Sequence, residues 1–382
     1  MALFTRSKPS NPSATHVHST AAPLDGSASV TTLNHSSHIE ALTKRIGTEL
    51  LDAARSHKAG VLSAAFWSDK LMSWSMRDPG FKVQLFRFVD AFPTLTTPQQ
   101  VHEHLIDYLS QPGVELPPGM SLGMKAGGLA KGLMSKTVAN QITSMAGKFI
   151  AGTNAADALP ELRRSWNKGI GFSVDLLGEA CVSSAEAEDY REKYLDLVRG
   201  LPEAVAAWPG NDVLDSDHLG PIARANVSVK ISSLSALTHS IDHERALESI
   251  MEQLRPILEE AKKLGVHINF DMEQFALKDL TMDLFMRCCE EVDFSAGIAM
   301  QAYLRSGDHD ATRLVAWARK TGRIVKVRLV KGAYWDYETI HAEQMGWPVP
   351  VWSRKVDTDA CFERMTRQFV DAIPTSRDQG GI

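Results

Sequence analysis

The chain has 382 residues, of which 44% are hydrophobic and 23% are charged, and its formal net charge is −5 at pH 7. These values are ordinary for a water-soluble globular protein, and the length predicts more than one structural unit. A negative net charge without a basic stripe gives no indication of a nucleic-acid partner. No apolar run is long enough to span a bilayer.

The four cysteines lack the spacing of a metal site. Cys181 and Cys361 are isolated, and the adjacent Cys288 and Cys289 fall inside a helical pattern. Cysteines of this kind usually pack as small apolar groups in a reducing compartment. The sequence therefore predicts reduced thiols, a cytoplasmic location and no bound metal.

The first third of the chain reads as a tail followed by helices. Residues 1–38 are rich in Ser, Thr, Ala, Pro and His, which predicts a disordered tail without a secretory signal. Apolar residues then recur at helical spacing from Ile39, and the pattern continues after Pro79 and Thr97. We expect a separate α-helical arm domain over residues 39–160.

A cationic amphipathic stretch ends this arm. Between Glu115 and Asp157 there is no acidic residue, while lysines alternate with methionines, leucines and a phenylalanine. Such a segment can lie on an anionic membrane surface, or it can pack its apolar face on a core with its lysines in water. The sequence favours packing and leaves membrane contact open.

Residues 161–382 alternate between strand and helix patterns. Each strand pattern has one apolar face and one polar face, and the polar face of each carries a polar residue at or next to the end of the strand. A doubly wound sheet buries both faces, whereas a (β/α)₈ barrel turns one face to its helices and gathers polar strand ends at its mouth. The pattern predicts an α/β fold, a partial (β/α)₈-type barrel with about five of eight strands. The predicted strands are Gly171–Asp175, Val227–Ile231, Val266–Asp271, Ile298–Tyr303 and Val325–Leu329.

The end of the chain offers little for a further strand. Residues 374–382 are short and polar. Five strands with open edges leave backbone groups unpaired, which proteins avoid. We therefore expect the sequence to be a truncated chain.

Polar strand ends define the candidate site. Lys230, Asp271, Gln301, Arg328 and Lys331 are expected to converge at the mouth of the barrel. Several cations beside a carboxylate suit a substrate or cofactor with anionic groups, and an amide suits a polar ring edge. Two alternatives remain open at this point: a Schiff-base aldolase that uses Lys230, and a purely structural ion pair between Lys230 and Asp271.

Six ordered segments of this part of the chain form a recognisable set: Gly171–Ala180, Val227–Leu234, Ile268–Glu273, Ala299–Tyr303, Val327–Asp336 and Ser353–Asp359. They resemble one known family, the proline dehydrogenase domain of the bifunctional proline utilisation A flavoenzymes. The resemblance covers residues from about 160 to 373, with a similar helical arm before it.

This resemblance implies a barrel that binds FAD and oxidises L-proline to Δ1-pyrroline-5-carboxylate, the first step of proline degradation to glutamate. It also implies that electrons pass to a membrane quinone, with peripheral contact at the inner face of the membrane. By position, Lys230 would face the proline carboxylate, Asp271 would orient the charged groups, and Arg328 would lie near the flavin N5 atom. Gln301 would bind the polar edge of the flavin, and Tyr334 would pack beside the substrate. The other implied cofactor contacts are Val330, Lys331, Gly332, Ala333 and Trp335, and, on the phosphate and adenine side, Ser353, Arg354, Lys355 and Thr358.

The sequence also departs from that family. Ser353 stands where the resemblance implies a threonine, and the last three strands, with their histidine and paired arginines, have no counterpart before Ile382. These 382 residues also include no counterpart of the aldehyde dehydrogenase half of the bifunctional relatives. The expectation is that this polypeptide alone binds FAD poorly and oxidises little proline. An inactive fragment that serves in assembly or membrane contact is the alternative, and homo-oligomer formation stays open.

Overall fold

The computed structural model describes residues 30–56, 78–115, 140, 150–178 and 180–382. The chain divides into two compact units, Met1–Ile142 and Thr143–Ile382. Most of the cationic stretch and the first part of the tail lie outside the described residues. In the part of the chain that is described, no helix is long and apolar enough to cross a membrane.

The first unit is helical, as predicted. It contains α1 (Val30–Ser56), α2 (Pro79–Ala91) and α3 (Pro98–Leu109). The last two begin at capping residues, Asp78 and Thr97, whose side chains accept backbone N–H groups of the first helical turn. These two helices enclose a small apolar core of Phe81, Phe88, Val101, Leu105 and Leu109.

Helix α1 begins earlier than the composition predicts. It covers residues 30–38, which the sequence assigns to a disordered tail. A helix that has formed its first turn extends by one hydrogen bond for each residue it orders, so it can include a segment of weak helical preference.

The second unit is built on a parallel sheet. Its strands are β1 (Val174–Asp175), β4 (Asn226–Val229), β5 (His267–Phe270), β6 (Ser295–Gln301) and β7 (Val325–Val330), hydrogen-bonded in that order. A small hairpin, β2 (Ser216–Asp217) and β3 (Gly220–Pro221), precedes β4. The helices of this unit are α4 (Ala155–Trp166), α5 (Ser184–Ala206), α6 (His243–Leu264), α7 (Lys278–Glu291), α8 (Gly307–Thr321), α9 (Trp335–Met345) and α10 (Lys355–Val370).

One face of this sheet forms the core. Val227, Val229, Ile268, Phe270 and Ile298 are fully buried among the apolar side chains of the helices. The opposite face carries polar residues such as Ser228, Asn269 and Arg328, because successive side chains of a strand point to opposite faces. Consecutive parallel strands with helices against one face match the predicted barrel-type arrangement and not a doubly wound sheet.

Two helices differ from the sequence-based expectation. Helix α5 continues through Pro202 to Ala206, although a proline usually interrupts a helix. The buried side chains of Leu201 and Val205 anchor this last part, so packing outweighs the hydrogen bond that proline removes. Helix α4 crosses residue 160, and Trp166 packs in the core of the second unit, so the helix does not belong to the arm.

The end of the chain also differs. Gly381 forms an isolated parallel bridge with Ile324, next to the start of β7. The N–H of Val325 donates to the carbonyl of Gly381, and the N–H of Gly381 donates to the carbonyl of Arg323. The segment expected to be too short and polar for strand pairing thus makes a single pairing at the free edge of β7.

Candidate active site

A cluster of charged side chains lies at the carboxyl ends of β1, β4, β5 and β7. It consists of Asp175, Ser228, Lys230, Asp271 and Arg328, and we call it the cation–carboxylate cluster. The ammonium of Lys230 donates to both carboxylate oxygens of Asp175 at 2.5 Å and to Asp271 Oδ2 at 2.9 Å. Arg328 pairs with Asp271 Oδ1 and donates to Ser228 Oγ at 3.0 Å. Ser228 Oγ in turn donates to Asp271 Oδ1 at 2.6 Å.

Strand register brings these groups together. Asp175 pairs with Ser228, and Asn269 pairs with Ser228 from the other side. Lys230 and Asp271 each lie two residues further along, just beyond the last paired residues of their strands, on the same face. Parallel strands end at one edge of the sheet, so residues distant in the sequence meet there.

The cluster fixes the charge of its members. Burial lowers the pKa of Lys230, but the hydrogen bonds that its ammonium donates to Asp175 and Asp271 outweigh burial and raise that pKa well above its ordinary value. Burial raises the pKa of Asp271, but hydrogen bonds from Ser228 and Lys230 and the charge of Arg328 leave it below its ordinary value. At neutral pH Lys230 is therefore an ammonium and Asp271 a carboxylate.

Gln301 lies at the end of β6 with half of its amide unpaired. Its Nε2 donates to the backbone carbonyls of Met272 and Glu273 at 3.3 and 3.2 Å. Its Oε1 is buried and has no hydrogen-bond partner among the described residues. A buried acceptor without a donor is costly, so this oxygen indicates a place for a ligand N–H or O–H group.

Tyr334 follows the β7 turn and lies within electrostatic range of the cluster. Burial, together with the negative charge of Glu273, raises the pKa of its phenol. The hydroxyl group therefore stays protonated at neutral pH and can donate a hydrogen bond.

The turn after β7 is held close to the preceding strand. The N–H of Ala302 donates to Val330 O at 2.8 Å, and the N–H of Tyr303 donates to Lys331 O at 2.7 Å. Gly332 has φ 130°, and a Cβ on it would lie 2.5 Å from the Tyr303 ring. Only glycine fits this position, which explains why the predicted site loop contains one. Ala333, the next residue, is exposed.

A second polar group surrounds the start of α10. Lys331 and Lys355 both pair with Asp359, and Lys355 does so at 2.8 Å. Arg354 instead pairs with Asp357 at 2.8 Å. Ser353 is exposed before the helix, whereas Thr358 is buried in its first turn. Trp335 joins this group to the β7 turn, because its indole N–H donates to the carbonyl of Trp352 at 2.8 Å.

The structure thus unites Lys230, Asp271 and Arg328, and places Gln301 and Tyr334 at the neighbouring strand ends. Residues 353–358 lie at the α10 group, where Arg354 makes only its local pair with Asp357. Asp175 and Ser228 are members of the cluster that the sequence-based site omits. The sequence contains a pattern that could have identified them, because both residues occupy the polar faces of predicted strands. Among the described residues there is no group of three or more potential metal ligands, and all four cysteines are free and buried.

The fold and this cluster define an α/β protein of consecutive βα units that carries its charged groups where such proteins bind their substrates. Comparison with known families makes the assignment specific. The profile described as "Proline dehydrogenase" matches residues 158–379, more than half of the chain. The profile described as "Proline utilization A N-terminal domain" matches residues 40–149. The chain belongs to the proline dehydrogenase family.

Individual relatives agree with this assignment. The "Bifunctional protein PutA" of Klebsiella aerogenes is 28% identical over 259 residues, 66% of this chain and 19% of that protein. "Proline dehydrogenase 1" of Bacillus subtilis subsp. natto is 27% identical over 49% of this chain and 52% of its own. The crystal structure of PutA from Bdellovibrio bacteriovorus inactivated by N-propargylglycine has 36% identity and a TM-score of 0.76, covering 87% of this chain and 33% of that chain. The chain thus spans about a fifth of the length of the PutA relative from Klebsiella.

Proposed function

We propose that this chain carries an FAD-dependent proline dehydrogenase site that oxidises L-proline to Δ1-pyrroline-5-carboxylate. The observation that carries the proposal is the cation–carboxylate cluster at the strand ends, next to the buried, unpaired oxygen of Gln301. The reaction converts the ring C–N bond of proline to a C=N bond and releases two electrons and two protons. The family membership of the chain supports the same reaction.

The cluster suits a substrate that is both an acid and an amine. Lys230 would bind the carboxylate, because it is a permanent ammonium at the edge of the site. Asp271 would balance the two cations and keep Lys230 and Arg328 in place. The Bdellovibrio relative is described as inactivated by N-propargylglycine, which also combines a secondary amine with a carboxylate. That chemistry supports proline as the substrate class.

The residues present also fit a flavin. When bound, FAD supplies the two-electron acceptor of the reaction. The unpaired Oε1 of Gln301 would accept an N–H from the polar ring edge, and the guanidinium of Arg328, whose side chain is 43% exposed, offers further donors. The ammonium groups of Lys331 and Lys355, which both pair with Asp359, would hold the phosphates. The backbone of the Gly332 turn and Trp335 would lie beside them.

The aldolase alternative has less support. A Schiff-base lysine must be a free amine when it attacks a carbonyl group. The ammonium of Lys230 contacts two carboxylates, and its pKa is raised. Both features stabilise the charged form that cannot react. Transfer of electrons to a quinone and contact with a membrane rest on family membership alone and are part of this proposal.

Flavin titration tests the cofactor site. The full chain is titrated with FAD while flavin fluorescence is followed, and Gln301→Leu is compared with wild type. Loss of one hydrogen bond, worth about 0.5–1.5 kcal/mol, should weaken binding by about 2- to 13-fold. Gln253→Leu is the matched control, because Gln253 contacts Arg191 between helices α5 and α6.

Addition of L-proline under anaerobic conditions tests the reaction. It should bleach the flavin absorbance of the wild-type complex, and Lys230→Met should require far more proline for the same effect. An affinity for FAD that is the same in wild type and Gln301→Leu would contradict the proposed site.

A further inference from the structure

Asp175 stands out in the cluster because, among the described residues, its side chain has a single hydrogen-bond partner. Both of its carboxylate oxygens accept from the Lys230 ammonium, and no other side-chain hydrogen bond of Asp175 occurs among the described residues. The side chain is 37% exposed, whereas that of Asp271 is 16% exposed. Asp175 is thus the more loosely held of the two carboxylates on Lys230.

All three N–H donors of the Lys230 ammonium are engaged in hydrogen bonds. An ammonium has three N–H donors and no acceptor. Two of them go to Asp175 and the third to Asp271. A further carboxylate can therefore bind Lys230 directly only if one of these partners withdraws.

The two partners differ in how easily they can withdraw. Asp271 also accepts from Ser228 and pairs with Arg328, so its release would break three contacts. Asp175 would break its contacts with Lys230 alone, and it would turn into solvent. The arrangement therefore favours replacement of Asp175, and not of Asp271, by another carboxylate on Lys230.

We propose that Asp175 is a positioning residue that holds Lys230 in place until the substrate arrives. Asp175 then releases the ammonium of Lys230, which binds the carboxylate of the substrate. This inference rests on the proposed function, because it assumes that the substrate carboxylate binds Lys230. Asp175 then acts as an internal competitor. It lowers the affinity of the site for anions and keeps the ammonium aimed at the strand ends while no substrate is bound.

Competition by Asp175 predicts that its removal increases the affinity for an anionic ligand, a direction of change that a purely structural role would not produce. Asp175→Asn keeps the shape of the side chain but removes the charge that competes for Lys230. Partly exposed ion pairs are worth about 0.2–1 kcal/mol, so an anionic ligand should bind about 1.4- to 5-fold more tightly. Asp175→Glu restores the charge and should return the affinity toward that of wild type.

The test uses cyclopentanecarboxylate, a ring carboxylate without an amine, titrated into the full chain by calorimetry. We expect tighter binding to Asp175→Asn and no change in the weak affinity for cyclopentanecarboxamide, the neutral analogue. Asp212→Asn removes the charge of an exposed carboxylate outside the cluster and therefore controls for net charge. This variant should bind the acid as wild type does. Unchanged or weaker binding to Asp175→Asn overturns the inference.

Failure of the proposed function has a different signature. If Lys230→Met binds cyclopentanecarboxylate as wild type does, or wild type does not bind it, Lys230 is no carboxylate site and both proposals fall. If Lys230→Met loses binding while Asp175→Asn gains none, only the role of Asp175 is wrong. Should Asp175→Asn fold poorly, Asp175→Ala removes the same charge and must show the same tightening.

Discussion

Asp271 separates two cations, and replacing its carboxylate with an amide tests what holds the cation–carboxylate cluster together. The substitution Asp271→Asn keeps the size of the side chain. It removes the charge that Lys230 contacts at 2.9 Å and that Arg328 also contacts. Lys230 keeps Asp175, whereas the one side-chain hydrogen bond that Arg328 keeps among the described residues is with the hydroxyl of Ser228. The protein should therefore become less stable.

The size of the loss follows from exposure. Removing one partner of a fully buried ion pair costs about 3–5 kcal/mol, whereas exposed pairs contribute about 0–1 kcal/mol. The side chains of Lys230 and Arg328 are 23% and 43% exposed, so the cluster lies between these limits. We expect a loss of about 2 kcal/mol in the free energy of unfolding. For a unit of this size, that loss lowers the melting temperature by about 4–8 °C.

The loss should also depend on pH. The pKa of Asp271 is lowered in the folded protein, because hydrogen bonds from Ser228 and Lys230 outweigh the effect of burial. Such a carboxylate contributes stability that is fully present above its ordinary pKa of 3.8 and is lost as the pH falls through the lowered value. The difference between wild type and Asp271→Asn should be largest at neutral pH and shrink below about pH 4.

Urea unfolding followed by tryptophan fluorescence measures this difference. Trp166 and Trp208 lie in the core of the second unit and Trp317 packs against it, so all three report its unfolding. The midpoint should fall without a change in slope, which indicates a change in stability alone. A loss below about 0.5 kcal/mol at pH 7 would refute the reasoning, since that is typical of surface substitutions. So would a loss that is the same at pH 7 and pH 3.

Two further predictions concern the turn after β7 and a buried histidine. Gly332→Ala should lower the free energy of unfolding, measured by thermal unfolding, by about 2 kcal/mol or more, because its Cβ would overlap the ring of Tyr303. Gly346→Ala is the control: it has open space around it and should lower the free energy of unfolding by about 1–2 kcal/mol. Equal losses in the two variants would contradict the clash. Burial and two nearby cations lower the pKa of His267 to about 3. NMR should therefore show a neutral ring down to pH 4, and stability should decline below about pH 6.5, where the unfolded histidine binds a proton. His267→Gln should reduce that decline, and a ring that titrates near 6.5 would contradict it.

The sequence by itself determined the elements and their faces. Alternation in segments such as Val227–Ile231 predicted strands with one apolar and one polar face, and the observed sheet has that pattern. Gly265 ends α6 in the left-handed region, a conformation that glycine adopts at the end of a helix. These features are local, because backbone geometry sets the period of two in strands and the stop signal at a helix end.

The tertiary structure alone decided which polar side chains share a partner. Sequence patterns placed Asp175, Lys230, Asp271 and Arg328 at strand ends, but the pairing of Lys230 with two carboxylates depends on the register of β1, β4 and β5. The unpaired Oε1 of Gln301 depends likewise on where its Nε2 finds two backbone carbonyls. Contacts between residues far apart in the chain are fixed by strand order and register, which no local pattern records. The charge and hydrogen bonding of the site are therefore properties of the assembled sheet.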